Sequence, residues 1–194
     1  MAARRGKADD PTTRNAILDA AERLMVEEGY AAVTSRRVAA LAGVNSALVH
    51  YYFDTMDGLF VALFRRGADR SFARLDAVLS SDRPLRSFWE FIHDRSNSAR
   101  TMEFIALANH RKEIRSEIGD YSRKFRKREL ELLSEVLAGY GLDPQRWPPA
   151  SLVLALSGIS RFLLIEEAFG IDEGHAETVA LIEREIAALE GDGT

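Results

Sequence analysis

From Thr34 to Phe53 the chain reads TSRRVAALAGVNSALVHYYF, two short helical patterns parted by a turn at Ala42-Gly43-Val44. Thr34 or Ser35 is placed to cap the first pattern, Val38 and Leu41 are its apolar positions, and Gly43 ends it. Asn45 then caps a second helix of roughly seven residues, well under the ~12 to 15 that persist alone in water. Only packing against neighbours can hold such a helix. Val49 and Phe53, one helical turn apart, face inward, which turns Ser46, Ala47, His50 and Tyr51 outward. That is the layout of a helix-turn-helix, whose second helix enters the DNA major groove. A small residue at Ala47 lets such a helix approach closely, and Arg36, in the first turn of the preceding helix, sits where the helix dipole disfavours a cation unless an external anion faces it.

The rest of the 194 residues contain no alternating β-branched runs and no hairpin turns between such runs, so the chain reads as all-α, with about nine helices. At 46% hydrophobic residues it can bury a sizeable core. There is no cysteine, and the four histidines (His50, His93, His110, His175) are scattered, so neither a disulfide framework nor a metal site is expected. No cofactor motif, P-loop, GxSxG or suggestive carboxylate pair argues for an enzyme. The start, MAARRGKADDPTT, lacks the apolar run of a signal peptide. The longest apolar stretch, Ala150 to Ile165, falls short of the roughly 20 residues of a membrane span, so a cytoplasmic protein without a membrane partner is expected. With a net charge of −4, any DNA binding must come from a local patch rather than from bulk positive charge.

A first helix is expected after Pro11, capped by Thr12 or Thr13, with Ile17, Ala21, Leu24 and Met25 on one face until Gly29. A long helix follows from about Thr55 to Ser80. Further helices are placed at about Leu85 to Asn97, Ala99 to His110 and Lys112 to Tyr140, the last with Ile114, Ile118, Tyr121, Phe125, Leu132 and Val136 inward. Its basic run Arg123 to Arg128 reads as a solvated face. The final pair spans about Ala150 to Phe169 and His175 to Glu190. Val179, Ile182, Ile186 and Leu189 form a narrow seam suited to helix-on-helix packing; with Leu152 and Leu156 they are the expected subunit interface. An apolar pocket for an effector is expected from Phe88, Trp89, Ile92, Met102 and Ile105, with His93 as a polar anchor.

Between Arg14 and Phe64 the residues resemble the TetR family of bacterial transcriptional regulators. A first helix ends EEGY, then come TSRRVAALAGV, a short helix ending YYF, and DGLF opening the long helix. The resemblance implies a DNA-reading head (12–54) preceded by a basic arm (1–11) and followed by a helical body (55–194) that binds a small molecule and dimerises. It implies a palindromic double-stranded DNA operator, the activity of a repressor, and DNA-contacting positions at Ser35, Arg36, Asn45, Ser46, Ala47, His50, Tyr51 and Tyr52. His50 stands where the family often has tyrosine, Tyr52 where histidine is frequent, and Met56 where a lysine commonly grips a phosphate. The rival reading is a helical small-molecule carrier or enzyme that keeps a vestigial head.

Overall fold

The structure, a computed structural model, describes residues 10–191, without the side chains of Ser96 and Asn97. The basic residues Arg4, Arg5 and Lys7 of the expected arm lie outside the described residues. Nine α-helices and a short 3-10 turn make up the described chain: α1 (Pro11–Glu28), the turn Tyr30–Ala32, α2 (Ser35–Ala42), α3 (Ser46–Phe53), α4 (Met56–Leu79), α5 (Pro84–Ile92), α6 (Arg95–His110), α7 (Lys112–Gly139), α8 (Pro149–Ala168) and α9 (His175–Glu190). They group into two compact units, and the division is not linear. The first takes residues up to Asp69 together with Ala99–Tyr121; the second takes Arg70–Ser98 and everything from Ser122 onward.

In the first unit, α1 buries Ile17, Leu18, Ala21 and Met25 against Val38 and Ala39 of α2 and Val49 and Phe53 of α3. Leu59, Phe60 and Leu63 of α4, Phe104 and Leu107 of α6 and Ile114 of α7 close the same core. Each such side chain contributes roughly 1.5–3 kcal/mol on burial, which is how an eight-residue α3 stays helical. The α1 cap is Asp10, whose carboxylate accepts from the Thr12 N–H at 3.0 Å, with Pro11 in the first turn. The expected cap at Thr12 or Thr13 is therefore displaced, because Pro11 has no N–H to lose and a preset φ that favours the first helical position. In α2 the second buried position is Ala39, while Leu41 stays 42% exposed; an eight-residue helix turns only one narrow face to α1.

The second unit is built on Leu75 and Leu79 of α4, Leu85, Phe88 and Phe91 of α5, Leu133 and Leu137 of α7 and Val153 of α8. Helix α5 ends at Ile92 rather than near Asn97. The chain breaks at His93-Asp94, and the Asp94 carbonyl accepts from the Ser98 N–H at 3.0 Å to open α6. Where α7 runs through the second unit, the buried apolar residues are Leu133 and Leu137, not Leu132 and Val136, which are half-buried beside them. At the other end of the inward face the chain buries Glu129. Three of the basic residues are held by acids: Arg126 by Glu129 at 3.2 Å, Lys127 by Glu131 at 4.0 Å and Arg128 by Asp76 at 2.9 Å.

Most of the seam expected as a subunit interface is turned inward within the chain. Leu152, Leu156 and Ile186 pack against the second unit's own core, and Ile182 is 9% exposed. The seam of α9 faces inward because α5 packs against it, where Glu190 also caps α5 by accepting from the Leu85 N–H at 2.6 Å. Val179 is half-buried and only Leu189, of the expected set, is exposed. The outward apolar residues are instead Leu154 (62%) and Phe162 (59%) of α8 and Leu181 (48%) of α9. By length and composition alone, the 20-residue α8, with mean hydropathy 1.5, is long and apolar enough to cross a membrane, longer than the stretch read from sequence.

Candidate nucleic-acid interface

The site is the pair α2 and α3. Thr34 caps α2, its hydroxyl accepting from the Arg37 N–H at 3.4 Å, and Gly43 ends it in the left-handed region at φ 68°. The Val44 N–H returns to the Ala39 carbonyl at 2.9 Å, which closes the turn as a Schellman-type stop. Asn45 then caps α3, its side-chain oxygen accepting from the Leu48 N–H at 3.0 Å. Only that oxygen is used, so the Asn45 NH2 keeps both of its donors.

With Val49 and Phe53 buried, α3 presents Ser46, Ala47, His50 and Tyr51, all exposed. His50 Nδ1 lies 3.3 Å from the Asp54 carbonyl oxygen. A carbonyl only accepts, so Nδ1 carries the proton and Nε2 is the acceptor of the neutral ring. Tyr51, 60% exposed, is braced edge-on against Tyr52, ring centroids 5.4 Å apart. Tyr52 is half-buried and its hydroxyl donates to the Asp10 carbonyl at 3.3 Å, so this ring also ties α3 to the start of α1. Arg14 of α1 lies over the Phe53 ring, 5.2 Å from its centroid.

The two arginines of α2 differ. Arg37 is bound to Glu28 of α1 at 2.5 Å; the guanidinium holds the Glu28 carboxyl below the usual carboxylate range, and Glu28 in turn raises Arg37. Arg36 is exposed and forms no ion pair among the described residues. Ser35 is half-buried at the helix start.

The turn into α4 is tight. Asp54 has φ 60° and ψ −58°, and the Thr55 N–H donates to the Phe53 carbonyl at 2.6 Å, which is a γ-turn of the strained hand. Thr55 Oγ1 accepts from the Gly58 N–H at 3.0 Å, and a Cβ at Gly58 would lie 2.2 Å from the Phe53 carbonyl oxygen. Met56 packs on the first core, and Asp57 pairs with Arg111. Sequence reasoning missed Asp10, Thr55 and Gly58 as the groups that hold α3; the Asp-Pro pair before α1 was the signal available for the first.

The expected effector residues divide between the two units. Phe88 and Trp89 are buried at 0% and 2% exposure, and Ile92 packs beside them in the second unit, whereas Met102 and Ile105 are 41% and 43% exposed on α6 in the first. Helix α6 buries Phe104, Leu107 and Ala108 instead, and a helix cannot turn the face holding Met102 and Ile105 inward at the same time. His93 stacks on Trp89 at 4.8 Å, and its Nδ1 lies 3.1 Å from Ser160 Oγ. Ser160 itself donates to the Ile92 carbonyl at 2.9 Å, so it accepts from His93, and His93 Nε2 remains an acceptor. No group of three or more potential metal ligands occurs among the described residues.

The profile of the bacterial regulatory proteins of the tetR family matches residues 17–63, the stretch that carries α2, α3 and their supports. A curated relative, the HTH-type transcriptional regulator BetI of Rhizobium meliloti (strain 1021), is 41% identical over 56 residues, 29% of this chain and 28% of the relative's length. Among solved structures, the multidrug binding protein EbrR complexed with imidazole is similar over 93% of this chain and 97% of its own, with 26% identity and a TM-score of 0.60. A TetR transcription regulator from Haloarcula marismortui ATCC 43049 is similar over 91% of this chain and 96% of its own, with 20% identity and a TM-score of 0.67.

Proposed function

We propose that the chain is a DNA-binding transcriptional repressor of the TetR family, a reading supported by the match of residues 17–63 to that family's profile and by the similarity to BetI and EbrR. It binds a palindromic operator as a homodimer in the cytoplasm and is released by a small, largely apolar effector. The observation that carries the reading is α3: a helix too short to stand alone, capped by Asn45, pinned by Val49 and Phe53, and turning Ser46, Ala47, His50 and Tyr51 to solvent. Arg36, exposed and without an ion pair among the described residues, supports a contact to the DNA, as does the unused NH2 of Asn45. Tyr52 contributes by bracing Tyr51.

A single helix of this length touches a few base pairs. Affinity and specificity come from two copies reading half-sites about one helical turn, roughly 34–36 Å, apart or a multiple of it. The outward face of α8 supplies an apolar surface for that second copy: Leu154 and Phe162 flank the small residues Ala155 and Gly158, all exposed, with Leu181 on α9. Only 22% of the apolar window of α8 is buried within the chain. Arg161, Glu166 and Glu167 on the same helix suit a protein interface rimmed by charge better than a lipid core. In the second unit, His93 Nε2, left as an acceptor, supports an effector that carries a hydrogen-bond donor.

The test is selection from a random-sequence duplex library followed by fluorescence anisotropy on the selected DNA. An inverted repeat is expected. Tyr51→Ala should weaken binding to it, and Arg36→Ala should cost about 1–3 kcal/mol if it forms a bidentate guanine contact. Enrichment of no sequence, or unchanged affinity in both folded variants, would overturn the assignment.

A further inference from the structure

We propose that Glu103 is a positioning residue for DNA binding: from α6 its carboxylate clamps the joint between α1 and α2 and so sets the pose of the helix-turn-helix. The proposal rests on the DNA-reading function above.

The Tyr30 N–H opens the three-residue 3-10 turn after α1, where the α-helical ladder has stopped. Glu103 Oε2 accepts from it at 2.7 Å, across 73 residues of sequence. Gly29 supplies the positive φ with which the chain enters the turn. Its φ is 85°, and Glu103 Oε2 lies at van der Waals distance, 3.4 Å, from where a Cβ would stand. Just two residues beyond the turn, Thr34 caps α2, so whatever holds the turn also holds the origin of α2.

The clamp is seated, not hanging from a loose helix. Phe104, adjacent to Glu103, is 3% exposed within the core that α1 to α4 share. One turn earlier on α6, Arg100 pairs with Glu22 of α1 at 2.9 Å, and the other Glu22 oxygen takes Arg66 of α4 at 2.6 Å. These ion-paired side chains are all about four-fifths buried, with 18–21% of their surface exposed. An anionic oxygen on a backbone N–H, beside such a network, is a strong and directional bond. Helix α6 itself begins in the second unit and runs unbroken into the first. The residue that holds the joint is thus borne by an element that both units share.

The experiment uses the full chain and a fluorescein-labelled duplex that the wild-type protein has selected from a random library. Glu103→Ala should weaken binding roughly tenfold. Glu103→Gln, which keeps the shape and a neutral acceptor, should lose less, and hydrogen exchange across Gly29–Val33 should quicken in the same order. A merely stabilising contact would lower the melting temperature yet leave the affinity of the folded protein intact. Wild-type affinity in Glu103→Gln and in folded Glu103→Ala, or unchanged exchange at the joint, overturns the proposal; should the alanine variant not fold, the glutamine variant decides alone. If the wild-type protein enriches no sequence, the DNA-reading function fails and this role falls with it, whereas normal wild-type selection with indifferent variants sinks only the role of Glu103.

Discussion

Two residues of the turn into α4 bear on whether α3 can be presented at all. Gly58 sits where a Cβ would meet the Phe53 carbonyl oxygen at 2.2 Å, and backbone cannot swing aside as a side chain does. Gly58→Ala should cost roughly 2–4 kcal/mol, read as a fall in the urea midpoint. The neighbouring Asp54 is the reverse case. It holds φ 60° without being glycine, so Asp54→Gly should stabilise by about 1 kcal/mol in the same assay. In the second unit, burial pushes the Glu129 carboxyl up from 4.5 to about 6, against the pull of Arg126 and Arg161. The folded chain therefore holds this proton more tightly than the unfolded chain. The associated stability is fully present below about pH 4.5 and is lost as pH rises through 6. Glu129→Gln should raise stability by up to about 2 kcal/mol at pH 7.5 and change it little at pH 4.5. Equal shifts at both pH values would assign the effect to packing instead.

At the scale of the element, the proposed function has capping and recognition share one side chain of α3. The Asn45 oxygen holds the Leu48 N–H, and its NH2 is left with its donors free. Asn45→Asp keeps the cap but places a negative charge toward the phosphates, so urea stability should hold within about 0.5 kcal/mol while DNA affinity falls. Asn45→Ala should lose about 1 kcal/mol of stability as well. Parallel losses in both variants would make Asn45 a cap alone. The stops at Gly29 and Gly43, the cap at Asn45 and the inward pair Val49 and Phe53 were legible because each depends on residues within one helical turn. Leu41 and the break between α5 and α6 were not: which face of α2 meets α1, and whether His93-Asp94 or Asn97-Ser98 ends a helix, depend on partners far along the chain.

For the whole molecule, the exposed residues of α8 and the buried seam of α9 make opposite forecasts. Phe162→Glu should give a folded monomer by light scattering, since Phe162 is 59% exposed in the single chain. Ile182→Glu should instead lose helical signal and melt early, because it puts an unpaired charge into the unit's own interior. A folded Phe162→Glu dimer would move the interface off α8. The seam at Val179, Ile182, Ile186 and Leu189 was visible as a pattern, but a hydrophobic stripe states only that something covers it. Here α5 does, with Glu190 bonded to the Leu85 N–H. The same holds for the body: Phe88 and Trp89 were legible as apolar, yet Met102 and Ile105, equally apolar, stay exposed on a helix committed to burying Phe104 and Leu107. Periodicity, caps and glycines determined by themselves that this chain is all-helical, where its first helices stop, and that a short helix with an outward polar and aromatic face follows Asn45, because those signals act over one or two turns. Only the tertiary structure decided which stripe is core and which is surface, that α6 shares a core with the head, and that Glu103 reaches Tyr30 across 73 residues, because such choices are made by competition among distant faces for the same buried space.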